Sequence, residues 1–290
     1  MTNLTTLPRA SVTEATLSRH LREVAIRAAR SVQPYLVNAF RSPMVIDTKR
    51  DFHDVVTVHD KETEKRLIDF ILCEVPDSSI LGEEGGATGQ GSIHWYIDPI
   101  DGTANFARGQ GFWCVSIGAV VEGEIIAGAV LDPVADLTFS ADAEGAWLGS
   151  APLRSRSTPR ESDAILITGY PVERDFRSDG REAALDHFGT LVEAFSTLRR
   201  PGSSALSICS VAAGWCDAAA GFGVNPWDVT AAILILKQAR GTYMPLALHK
   251  PPATPDFACP GYVALGEGAN YPTLMNVARL VSETRAKAAK

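Results

Sequence analysis

The sequence predicts an α+β fold of layered sheets and helices, and two observations carry that expectation. The chain opens with two long helical patterns, whereas from Ile93 onward it breaks into short β-rich segments separated by Gly, Asp or Pro. Strands joined only by tight turns form an antiparallel sheet, because a parallel pair needs a crossover of a dozen or more residues. Helices precede and follow that sheet instead of alternating with single strands. The order therefore argues for layers rather than a regular β-α-β repeat.

Each element has its own signal. Residues 14–40 place Leu17, Leu21, Val24, Ala28, Val32 and Leu36 at helical spacing, with a kink possible at Pro34. A polar stretch, DTKRDFHD, follows. Asp60 or Thr57 then caps a second helix whose apolar positions include Leu67, Ile68, Ile71, Leu72 and Val75. Ser78 to Leu81 lead into a GEEGG turn. HWYID, FWCVSIGAVV, EIIAGAVLD, LTFSAD and GAWLG read as strands, with VEGE as a hairpin turn. Beyond a loop at residues 155–162, AILITGY reads as a strand. Helices are expected over 181–196, 204–214, 227–239 and 271–288. There is no internal repeat, and Arg154–Ser162 is the best boundary between two halves, about 1–153 and 154–290, of one 290-residue domain.

Composition narrows the function. A net charge of −7, from 27 basic and 34 acidic residues, argues against a nucleic acid or an anionic membrane as main partner, since both are met by basic patches. It also means that an anionic substrate needs bound cations or a local opposing field. Five cysteines (Cys73, Cys114, Cys209, Cys216, Cys259) without C-x-x-C spacing suggest reduced thiols and a cytoplasmic location. The first residues lack a basic start followed by an apolar run, and runs such as 231–236 are too short to span a bilayer.

The strongest chemical signal is Trp95-Tyr96-Ile97-Asp98-Pro99-Ile100-Asp101-Gly102-Thr103-Ala104-Asn105-Phe106. A hydrophobic strand delivers two carboxylates into a turn where Pro99 fixes one backbone angle and Gly102 leaves room for an anion. Backbone N–H groups after Gly102 suit a phosphate, and Asp98 and Asp101 suit hard cations such as magnesium. A plain Asp/Gly surface turn is an equal alternative for this motif alone. Three weaker signals are Gly82-Glu83-Glu84-Gly85, Asn225-Pro226-Trp227-Asp228 and the run from Asp54 to Asp60. Taken singly they read as an acidic loop, a charge at a helix start and a helix cap. Together they make several carboxylates that would repel one another unless divalent cations intervene.

With these motifs the chain resembles the inositol monophosphatase family of magnesium-dependent, lithium-sensitive phosphatases, from about Leu21 to Leu280. The resemblance implies a layered α-β-α-β-α sandwich of the sugar-phosphatase type, two or three magnesium ions, and a homodimer. It assigns Glu83, Asp98 and the Ile100 carbonyl to one ion, Asp98, Asp101 and Asp228 to a second, and the surroundings of Glu83 and Asp60 to a third. Gly102 and Thr103 would bind phosphate, with Thr103, Asp60 and Glu83 preparing the attacking water. Two metals can activate water and stabilise the leaving oxygen, and no Cys or Ser nucleophile is required.

On the substrate side the resemblance implies contacts from Asp101, Asp228, Arg200, Ser203, Ser204 and position 221. The sequence departs there: Gly221 stands where inositol-hydrolysing members carry a glutamate that binds hydroxyls, which relaxes discrimination among alcohols. Arg200 is equally well read as an interface arginine. After Gly241 the family's glycine pair is replaced by TYMPLALHKPPATPDFACP. The six histidines show no ligand spacing, and Trp95, Trp227 and Phe106 are read as packing beneath the site. The expected reaction is hydrolysis of inositol 1-phosphate or a related sugar or polyol phosphate. Alternatives are histidinol phosphate, fructose 1,6-bisphosphate or 3′-phosphoadenosine 5′-phosphate. A regulatory protein binding the transcription or ribosome machinery is the non-enzymatic alternative.

Overall fold

The computed structural model describes residues 12–44, 46–48 and 55–288. The leader-free reading of the first residues, and the parts of the polar run that hold His53 and Asp54, lie outside them. The chain begins with helix α1 (Val12–Ala39), which runs on through Pro34. A short antiparallel pair, β1 (Ile46–Thr48) and β2 (Val55–Thr57), leads into α2 (Val58–Glu74). Strands β3 (Ser78–Gly82), β4 (Gly86–Gly89) and β5 (Ile93–Asp101), a single turn α3 (Thr103–Ala107), and strands β6 (Cys114–Val121), β7 (Glu124–Asp132), β8 (Leu137–Asp142), β9 (Gly145–Leu148) and β10 (Ala151–Pro152) follow. The remainder comprises β11 (Ile165–Thr168), α4 (Glu173–Asp179), α5 (Arg181–Ala194), β12 (Thr197–Arg199), α6 (Ser204–Ala212), β13 (Ala218–Phe222), α7 (Pro226–Gln238), β14 (Thr242–Leu246), β15 (Gly261–Leu265) and α8 (Pro272–Ala288).

These elements stack as five layers, α-β-α-β-α. An eight-stranded sheet, ordered β10-β9-β8-β7-β6-β5-β3-β4, takes all its strands from before residue 153. A five-stranded sheet, ordered β12-β11-β13-β15-β14, takes all of its own from after residue 164. Side-chain alternation sorts the core. Val115, Ile117, Ala127, Ala129 and Leu131 pack with α1 and α2, whereas Cys114, Val130, Phe139 and Ala141 face α6 and α7. The run FWCVSIGAVV lacks apolar–polar alternation because both faces of β6 are covered. In the smaller sheet, Ile167, Ala219 and Ala264 face the same central helices, while Leu166, Ala218, Ala220, Val263 and Leu265 pack toward α5 and α8. Helix α7 lies between the two sheets, so all eight residues 229–236 are buried. It sits close: a Cβ on Gly128 of β7 would fall 2.8 Å from the Ala231 Cα.

Two expectations need correction. Of the smaller sheet only β11 is foreseen as a strand. The departure after Gly241 folds as β14, a 3-10 turn at Asp256–Ala258 and β15. Helix α4 is likewise additional, set off from α5 by Gly180.

Candidate active site

Register and one irregularity build the site. Strands β3 and β5 are parallel, with Gly82 opposite Ile97, so the next residues, Glu83 and Asp98, emerge side by side. Asp98 and Asp101 are three apart, and on a regular strand they would point to opposite faces. The pairing with β6 shifts between them: Asp98 faces Ser116, but Asp101 faces Cys114. This bulge adds one residue at Pro99-Ile100 and re-aims the strand. Pro99 lacks the N–H that a regular ladder would require.

Among the described residues the three aspartates are anchored by neutral donors and form no ion pair with a cation. The Ile100 N–H donates to Asp98 Oδ1 (2.9 Å). Asp101 Oδ2 accepts from the Ser203 hydroxyl (2.6 Å) and the Ala205 N–H (2.7 Å), and Oδ1 accepts from the Ser204 N–H at 3.3 Å. It thereby ties the β5 turn to the N-terminus of α6, where a negative charge is favoured. Asp228 Oδ2 accepts from the Asn225 N–H (2.8 Å), closing a capping box at the start of α7.

Electrostatics link these groups. Burial, followed by the charges of Glu83, Asp101 and Asp228, holds the Asp98 carboxyl well above its ordinary range. Asp228 is raised strongly too, by burial and then by Asp101. Asp101 is pushed up to about 6 by burial, against the pull of its three hydrogen bonds. Among the described residues no three carboxylate, imidazole or thiolate side chains form a ready-made metal cage. The donors are all oxygen, buried and mutually repelling, so the set fits a hard divalent cation.

Beside the carboxylates lies the Gly102-Thr103 turn. Gly102 has φ +103°, in the left-handed region, and a Cβ there would meet Phe112 O at 3.0 Å and Trp113 Cβ at 3.2 Å. The first bonds of α3 run from the Asn105 and Phe106 N–H groups to the Gly102 carbonyl. The Thr103 N–H therefore precedes the helical ladder. The Thr103 hydroxyl lies 2.9 Å from Asp60 Oδ1 and 3.0 Å from the Ile100 carbonyl, and it can donate to either. Asp60 is fully buried at the start of α2. Its Oδ2 accepts from the Thr57 N–H (2.8 Å) and hydroxyl (2.7 Å), and burial raises it to about 6. Thr57 and Asp60 thus share the cap of α2, and Asp60 also reaches the site.

This arrangement sits within a chain matched by the model of the inositol monophosphatase family over residues 17–280. The chain belongs to that family. It is 37% identical over 194 residues to the fructose-1,6-bisphosphatase/inositol-1-monophosphatase of Aquifex aeolicus (66% of this chain, 72% of the relative). To the Nus factor SuhB of Pseudomonas aeruginosa it is 35% identical over 224 residues (75% and 82%). The crystal structure of the extragenic suppressor protein suhB from Bartonella henselae superposes with a TM-score of 0.77 at 26% identity, covering 89% of this chain and 97% of that one.

In this member of the inositol monophosphatase family a cleft lies next to the carboxylates. A cavity of about 170 Å³ opens beside Asp101, with Ser203, Ser204, Gly221, Gly223, Tyr262 and Arg174 in its wall. Ser203 is committed to Asp101 and caps α6. Arg200 donates to the Tyr170 and Pro171 carbonyls, both at 2.9 Å, so its guanidinium braces the corner before α4 and is not among the residues lining the cavity. A Cβ on Gly221 would stand 2.6 Å from the Tyr262 ring, which fills the direction a longer side chain would take.

Three contributors were missed in the sequence. Glu64 accepts from the Glu84 N–H (2.8 Å) and the Gly85 N–H (2.5 Å), holding the turn that carries Glu83. A Cβ on Gly82 would clash with that carboxylate at 2.4 Å, which accounts for the first Gly of GEEGG. Glu64 lies one helical turn after Asp60 (i, i+4), the one signal that placed both on a single face of α2. Tyr262 and Arg174 carried no local signal. Trp95 and Phe106 are buried beneath the site as expected, whereas Trp227 is half-buried. His59, His94 and His187 each bond a Tyr or Ser hydroxyl.

Proposed function

We propose that this protein hydrolyses a small phosphate monoester with magnesium as cofactor, by direct attack of water. One observation supports the reading above all. Asp98, Asp101 and Asp228, together with Glu83, bring four carboxyls into one region, and the hydrogen bonds of the three aspartates come from N–H, hydroxyl and thiol groups and, for Asp98, from the Glu83 carboxyl. Such a cluster is unfavourable unless divalent cations complete it.

Glu83, Asp98, the Ile100 carbonyl, Asp101 and Asp228 would hold two ions, with Asp60 and Glu83 near a third. Bound there, magnesium neutralises phosphate charge and makes water a better nucleophile. The chain supplies the rest. Gly102 and Thr103 offer N–H groups to the phosphate. When Thr103 gives its hydroxyl hydrogen to Asp60, its lone pairs are left to accept from, and so orient, a water. Asp60, raised to about 6, is an effective proton acceptor near neutral pH. A single domain, a homodimer and inhibition by lithium follow from the family resemblance. A cytoplasmic location fits the five free cysteines.

The test is phosphate release from a panel of esters by chelator-treated protein, with and without added magnesium. Magnesium-dependent release is expected. Full activity in verified metal-free protein would sink the mechanism. A second reading, a regulatory role in transcription, is favoured by the 35% identity to a protein named a Nus factor. Asp98→Asn separates the two, since it removes catalysis while leaving a surface contact intact.

A further inference from the structure

On the reading that this site hydrolyses a phosphate ester, we infer that its alcohol side receives a leaving group bearing a second anionic group, a phosphate or a carboxylate, held by Arg174. The inference rests on what surrounds this arginine. Helix α4 carries Glu173, Arg174, Asp175, Arg177 and Asp179. Each acid on it is already taken. Glu173 pairs with Arg177, and Arg285 bonds Asp175 at 2.8 Å and Asp179 at 2.7 Å. Arg174 is exposed and forms no ion pair among the described residues, although the protein carries a net charge of −7.

Its position makes that unspent charge functional. A Cβ on Gly223 would lie 2.6 Å from the guanidinium carbon of Arg174 and 2.7 Å from Nη2. The guanidinium therefore rests against bare backbone at residue 223, a few residues ahead of Asp228, and in the wall of the cavity beside Asp101. Its charge reaches the metal side, because Arg174 is among the groups that ease the carboxyl of Asp228 downward.

The opposite wall agrees. A polyol is recognised by a carboxylate acceptor, but position 221 has no side chain and the Tyr262 ring occupies the space beside it. Position 221 thus offers no carboxylate, and Asp175, the one carboxylate of the wall, is held by Arg285, whereas the Arg174 guanidinium stands in the same wall, and guanidinium forks match carboxylate and phosphate. A cationic leaving group such as histidinol would meet a like charge. The cavity of about 170 Å³ suits a leaving group of a few carbons, being smaller than pockets for drug-sized ligands, which run from about 300 to 1,000 Å³.

The experiment compares kcat/KM with magnesium for two matched pairs. Fructose 1,6-bisphosphate against fructose 1-phosphate reads a second phosphate; 2-phosphoglycerate against glycerol 2-phosphate reads a carboxylate. The wild-type protein is expected to favour the doubly anionic member of at least one pair by about 10-fold or more. Arg174→Ala should compress that ratio by about 10- to 100-fold, the scale of a hydrogen bond to a charged group. Arg174→Lys should retain part of it. Arg177→Ala, on the same helix, should leave the ratio unchanged and so excludes a diffuse charge effect. A wild-type ratio near one in both pairs, or a ratio indifferent to Arg174→Ala, overturns the inference while magnesium-dependent hydrolysis of glycerol 2-phosphate leaves the phosphatase reading standing. Failure to hydrolyse any of the four esters removes that reading and the inference with it.

Discussion

Stripping metal from this protein should make its stability fall as pH rises from about 4 to 6, and the fall should vanish with magnesium. Asp101 and Asp60 have folded values of about 6 against an ordinary 3.8. A carboxyl raised in the folded state binds its proton more tightly there than in the unfolded chain. Stability is therefore highest below the unfolded value, is lost between about pH 4 and 6, and stays lost above. A shift of roughly two units corresponds to about 3 kcal/mol for one such group. The two sites do not simply add, and Asp98 and Asp228, also raised by burial and by neighbouring carboxylates, act in the same direction. Magnesium binds the ionised cluster and opposes the trend, contributing about 2.7 kcal/mol when present at 100 times its dissociation constant. The assay is urea unfolding at several pH values, with chelator or with magnesium. Asp132 and Asp142 lie outside the site and are also raised, so the difference between the two arms is the diagnostic quantity. Metal-free stability that is flat or rising over this range, or equal slopes in both arms, would refute the charge-frustrated site.

Asp98→Asn should abolish turnover with the fold retained, and should flatten the metal-free pH slope, because Asn keeps the acceptor for the Ile100 N–H but removes a charge; circular dichroism and phosphate release check both. Thr103→Ala should lower kcat about 100-fold or more, within the range for proton-handling groups, while magnesium affinity by titration calorimetry stays within about threefold. Glu64→Gln, which weakens the grip on the Glu84 and Gly85 N–H groups, should raise the magnesium requirement about 10-fold with less effect on saturated kcat, as outer-shell changes do. Gly221→Glu alone should be destabilising and should not improve use of inositol 1-phosphate, because the Tyr262 ring stands 2.6 Å from the new Cβ; paired with Tyr262→Val it should raise the preference for inositol 1-phosphate over glycerol 2-phosphate.

Of the larger sheet, β5 to β9 were legible because they follow one another and are punctuated by turns with the residues those turns require, whereas β3, β4 and β10 were not read as strands. VEGE closes the β6–β7 hairpin with Glu122 at φ 51° and Gly123 at φ 84°, the positive pair of a type I′ turn. The smaller sheet was not legible. Its strands are three to five residues long, separated by helices, and one of them reads Ala218-Ala219-Ala220-Gly221-Phe222. Alanine and glycine carry no strand signal of their own. They are selected because β13 is covered on both faces and crowded by Tyr262, a constraint that exists only after folding.

The same distinction divides the site. The residues proposed to meet a cation or a phosphate are gathered by local devices: a bulge at Pro99-Ile100, a capping box at Asp228, and a positive φ at Gly102. Each leaves a trace within a few positions, so short motifs reveal them. The residues proposed to face the alcohol come from α4, from the 221–223 backbone and from β15, and they meet through space alone. The sequence showed that a carboxylate was lacking at position 221 but not that Tyr262 fills the space beside it. Among the arginines it singled out Arg200, whose guanidinium is spent on the Tyr170 and Pro171 carbonyls. Arg174 stands out only once every acid on its own helix is seen to be engaged elsewhere. On the proposed function, reaction type is thus written in contiguous residues and substrate choice in long-range packing.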